Sequence, residues 1–131
     1  MSAVFLRMSV LFVVLGVSLG YWMGMTHNFI VSPVHAHINL LGWVSMFLYG
    51  LFYRAFPGAA GGLLPKAHLA LAAICLPLMM IGLTIQLLQI EALMAVVPAL
   101  MISGPTLVVL GMVVFAVIVF RATGGKTAAT A

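Results

Sequence analysis

Four long apolar runs, separated by short breaks rich in glycine, proline or polar residues, make up nearly the whole chain. Residues 3–25, 34–56, 67–88 and 98–120 each meet the roughly 20 apolar residues that a helix needs to cross a hydrocarbon layer. The pattern predicts an all-α integral membrane four-helix bundle that occupies residues 1–131 as a single domain. The connections are short: 26–33, the glycine- and proline-rich "PGAAGGLLP" at 57–65, and 89–97. Ser32 is the expected N-cap of the second span, with Pro33 at its first helical position. Pro98 marks a helix start, while Pro77 and Pro105 lie inside spans and are expected to bend them.

Composition sharpens this picture. Of 131 residues, 66% are hydrophobic and only 5% are charged, which excludes an ordinary soluble domain. The five basic residues are Arg7, Arg54, Lys66, Arg121 and Lys126. An N-in, C-in topology puts all of them on one side, as the positive-inside rule requires. The expected location is a bacterial inner membrane, with the 26–33 and 89–97 loops facing the periplasm. The formal net charge of +4 then reads as topology and attraction to anionic membrane lipid, with no nucleic-acid partner. Glu91 is the single acid, so paired-carboxylate catalysis is excluded. No serine or cysteine has a base at motif spacing, and Cys75 is expected to be an inert core thiol. Gly16, Gly20 and Gly24 form a small-x-x-x-small row, which suits either packing within the bundle or a contact between subunits.

The histidines carry the candidate chemistry. His27, His35 and His37 fall near the outer end of the spans, and His68 falls by Lys66 at the inner end. A span's length of roughly 25–30 Å separates the two groups. His68 is expected to be an interfacial histidine that reaches water or headgroups. Two residues along a helix turn about 200°, so His35 and His37 should point to opposite flanks and serve separate partners. Below His35 run Asn39, Gly42, Ser45 or Met46, Tyr49 and Tyr53, a polar and small stripe that should face protein. Below His37 run Leu41, Val44, Leu48 and Leu51.

The stretch "HAHINLLGW…YGLFYRAFP" resembles the His-x-His helix of the catalytic subunit of cbb-type heme-copper oxidases, with His35, His37, Gly42, Trp43, Gly50, Tyr53 and Pro57 in the family's order. "HINLLGW" is more weakly similar to a heme-holding helix of nitric oxide reductases, through His37, Asn39 and Leu40. The resemblance covers one helix of the four. It implies that His35 would match the ligand of the high-spin heme and His37 that of the low-spin heme. The family's copper histidines, cross-linked tyrosine and propionate-binding arginines have no counterpart here, so full dioxygen reduction at a heme–copper centre is not expected.

The expected function is therefore a small membrane hemoprotein. It would bind b-type heme through the iron ligands His37 and His35, with Asn39 and Trp43 beside the site, for electron transfer or for binding O2 or NO. The second ligand would come from His27 or from another copy of the chain, a threefold ring being favoured over a dimer. Two other readings compete. Met23, Met25 and His27 alternate beside the pair, a soft donor set that suits copper, as in a periplasm-facing copper-binding or assembly protein. The other is a structural accessory subunit without a cofactor.

Overall fold

The computed structural model describes residues 1–124; Lys126 lies outside them. The chain forms α1 (Ser2–Thr26), α2 (Ser32–His37), a π-helical segment (Ile38–Ser45), α3 (Met46–Ala55), α4 (Leu63–Leu88) and α5 (Val97–Thr123). Short 3-10 turns at Pro57–Ala60 and Glu91–Val96 join α3 to α4 and α4 to α5. α2, the π segment and α3 follow one another without a break, so the architecture is four antiparallel helical rods. Three stretches are long and apolar enough to cross a membrane: Ser2–Thr26, Leu63–Leu88 and Glu91–Thr123. The second rod is divided by its change of winding into shorter pieces.

Large apolar side chains cover the outside. Leu11 is 65% exposed, Ile102 70% and Phe120 76%. A soluble bundle would hide such residues, whereas lipid accepts them. Without a hydrophobic drive inside lipid, the rods associate through close packing. α1 turns Phe5, Ser9, Phe12, Gly16, Leu19 and Met23 inward, a seven-residue rhythm of alternating four- and three-residue steps. α4 and α5 cross closely where Gly104 lies on the Met79 backbone and Gly82 on Leu100. A Cβ on either glycine would come within 2.8 and 2.7 Å of these neighbours. α4 and α5 pass through Pro77 and Pro105 as uninterrupted helices.

The π segment has a pattern behind it. Val34, Ile38, Gly42, Met46 and Gly50 all face inward at a constant spacing of four. In an α-helix of 3.6 residues per turn each such step drifts about 40°, which would carry the row about 160° around the rod. The wider i→i+5 winding of Ile38–Ser45 takes up that drift and keeps the row on the core. Ser45 strengthens the segment by donating its hydroxyl to the Leu40 carbonyl, five residues back, at 2.9 Å.

Two local expectations need correction. Ser32 is the first residue of α2 rather than its cap; Val31 takes that position and no side chain caps the helix. His68 is not interfacial but 1% exposed, deep in the bundle. Lys66 is exposed, and His68, two residues on and about 200° around the helix, turns inward. Cys75 is a free, buried thiol, as its position suggests.

Candidate functional site

Pro33 opens α2 at its first turn, and the rod then carries His35 and His37 to opposite flanks. His35 leans on α1. Its Nδ1 lies 2.9 Å from the Gly16 carbonyl oxygen. A carbonyl can only accept, so Nδ1 carries the proton and Nε2 keeps its lone pair. The Asn39 amide donates to the His35 carbonyl at 2.9 Å. Its 3.3 Å approach to His35 Nδ1 is therefore a contact between two donors, and the carbonyl bond orients the amide.

Two glycines of α1 make room for this arrangement. A Cβ on Gly16 would stand 2.6–2.8 Å from the Asn39 amide group, and one on Gly20 would stand 2.7 Å from His35 Cε1. A Cβ on Gly24 would meet nothing within 4 Å. The glycine row is thus a packing device within the chain at its first two members. What it accommodates is an imidazole and an amide rather than a bare helix backbone.

His37 lies on the other flank, half-buried. Its Nδ1 donates to the Pro33 carbonyl oxygen, one turn back, at 2.7 Å. Its Nε2 is likewise left with a lone pair. Below it the rod presents Leu40, Val44, Leu48 and Leu51, all exposed, together with Trp43 at 40%, whereas Leu41, expected on this flank, packs against the core. The two flanks thus differ in chemistry: the His35 side is small, polar and packed, and the His37 side is apolar and open.

His27 ends α1 in the left-handed region, with φ of 53°, and is exposed. The structure does not gather it with the pair. Among the described residues no group of three or more His, Cys, Asp or Glu side chains could hold a metal ion. Met23 is buried at 5% and Met25 is exposed at 66%, so the alternating thioethers do not converge. Glu91 opens the turn before α5 and is exposed.

Within one copy, then, the pair can offer two imidazole Nε2 atoms, each on a separate flank. A neutral imidazole whose Nδ1–H is held by a carbonyl is the form in which histidine ligates transition metals, because the carbonyl fixes both tautomer and ring angle. The donor set fits an iron porphyrin in type and tautomer. Sequence reading missed the carbonyl partners. The signals for them were the four-residue steps between Gly16 and Gly20 and between His35 and Asn39, which let two crossing helices match row to row. Comparison with known protein families, curated proteins and solved structures finds no match to this chain.

Proposed function

We propose that this chain is a small membrane hemoprotein, related to one four-helix unit of the heme-copper oxidase catalytic subunit, that holds b-type heme through His37 and His35. The observation that carries the reading is the shared tautomer of the two rings. Each commits Nδ1–H to a main-chain carbonyl, at 2.9 Å and 2.7 Å, and keeps Nε2 for a ligand. When bound, a porphyrin iron would supply one-electron chemistry, and ligation by two imidazoles would suit it to electron transfer rather than to gas binding.

The residues divide the work. His37 offers its Nε2 on the open flank, where Leu40, Val44 and Leu48 exclude water and give apolar surroundings. His35 offers its Nε2 from the packed flank, held by Gly16 and braced through Asn39. Because the rings lie on opposite sides of one helix, His37 and His35 would share one iron only between two copies. A closed ring of three uses both histidines of every copy, and a dimer leaves one unused. The basic residues at the end of the bundle opposite the pair favour N-in, C-in insertion in a bacterial inner membrane, with the pair toward the periplasm.

A reduced-minus-oxidised optical spectrum of the detergent-purified protein tests this. The expected result is an α band in the b-type region, lost in His37→Ala while circular dichroism stays helical. Heme stoichiometry with intact mass separates ring from dimer. A colourless protein from heme-replete cells, a band that survives the double His35→Ala, His37→Ala change, or stoichiometric copper in place of iron overturns the proposal.

A further inference from the structure

At the other end of the bundle all four rods meet on one ring. The His68 ring centre of α4 lies 5.1 Å from that of Phe5 in α1, 4.6 Å from Tyr49 and 5.9 Å from Tyr53 in α3, and 4.9 Å from Phe115 in α5. Phenylalanine would fill such a cage with no polar atoms. Imidazole brings two nitrogens, and each needs a partner when buried.

One nitrogen has a partner. Tyr53 Oη lies 3.0 Å from His68 Nδ1. The Tyr53 hydroxyl hydrogen has no other acceptor among the described residues, so it donates to Nδ1, and Nε2 carries the ring proton. That Nε2 is the one buried polar side-chain atom without a hydrogen-bond partner among the described residues. A donor left in that condition keeps the full penalty of its desolvation.

Beside the ring is a cavity of about 30 Å³, bounded by His68, Tyr49 and Ser45 on its polar side and by Leu76, Val108 and Met112 on its apolar side. A water needs roughly 10–15 Å³ of such space and two to four polar partners. The volume accommodates a water. Ser45 already donates to Leu40, so its oxygen remains able to accept. No charged side chain borders the space, which argues against an ion.

We propose that this cavity is a binding site for one water molecule, which accepts from His68 Nε2–H and donates to Tyr49 and Ser45. Tyr53, His68, the water and Ser45 then form one hydrogen-bonded chain inside the bundle, ending on the π segment. The site is independent of any heme at the other end.

Water-edited solid-state NMR of the full-length, 15N-histidine-labelled protein in lipid bilayers tests it. The expected result is a protonated Nε2 on His68 with a cross peak from water at short mixing times. Ala72 also borders the cavity, so Ala72→Val, which narrows it, should abolish that cross peak and keep the Tyr53 contact. Ser45→Ala, which removes one partner without adding bulk, should weaken it. An Nδ1-protonated His68, a protonated Nε2 with no water contact, or a cross peak unchanged in both variants overturns the proposal.

Discussion

Two histidine regions occupy opposite ends of this bundle, and they treat the same side chain in opposite ways. At the α2 end, two helix-borne rings each tie Nδ1 to a main-chain carbonyl and leave Nε2 uncommitted near the surface. At the other end, His68 is packed among aromatic rings from the other three rods and bonds to a side-chain hydroxyl. A carbonyl can only accept and so fixes which nitrogen keeps its lone pair. A hydroxyl can donate and so reverses the choice. The difference between a ring that keeps a free Nε2 lone pair and one that does not therefore lies in the partner of Nδ1, not in the imidazole alone.

The sharpest way to break this comparison is His68→Ala. Removing the ring on which Phe5, Tyr49, Tyr53 and Phe115 pack leaves a cavity at the junction of the rods. The loss should be on the order of 2–4 kcal/mol, read by unfolding in mixed micelles. A neutral result would mean that His68 is not the junction described. By contrast, His37→Ala should change the stability of the heme-free protein little, because that ring packs on an open flank.

Gly20→Ala sharpens the other side. Its new methyl would stand 2.7 Å from His35 Cε1 and 3.2 Å from Nδ1, so the ring must swing off the Gly16 carbonyl. About 1–2 kcal/mol should be lost, and the His35 15N shifts should report a mixed tautomer. Gly24→Ala is the matched control. With nothing near its Cβ, it should hold stability or gain about 0.5–1 kcal/mol through helix propensity. Equal losses at both glycines would remove the argument for a seat built around His35.

His27→Gly should act through the backbone alone. A β-carbon in the left-handed region costs roughly 1–2 kcal/mol, and glycine relieves it, so stability should rise by up to about 1 kcal/mol. If heme is bound, its spectrum should not change. Spectral loss would bring His27 back as a ligand.

Much of this molecule was legible in its sequence. The apolar runs located the four rods to within a few residues, because a membrane span needs a fixed length of apolar side chains whatever its neighbours are. The inward stripe through Asn39, Gly42, Met46, Tyr49 and Tyr53 was also legible, since polar and small residues on a span avoid lipid. The π segment was not identified, although the constant four-residue spacing from Val34 to Gly50 was its signature. The stripe from His35 through Asn39 and Gly42 was followed in α-helical steps, which leave no place for a change of winding. His68 was misplaced because proximity to Lys66 was read as depth, when the angle around the helix decides burial.

Sequence by itself determined the helices, their lengths, the basic residues at the ends and the opposite flanks of His35 and His37, because each follows from local geometry and solvent preference. Tertiary structure alone decided which nitrogen each histidine keeps and which glycine holds which ring. It also decided that Phe5, Tyr53 and Phe115 close around His68. These depend on atoms from rods far apart in the chain, and no local pattern records where such rods cross.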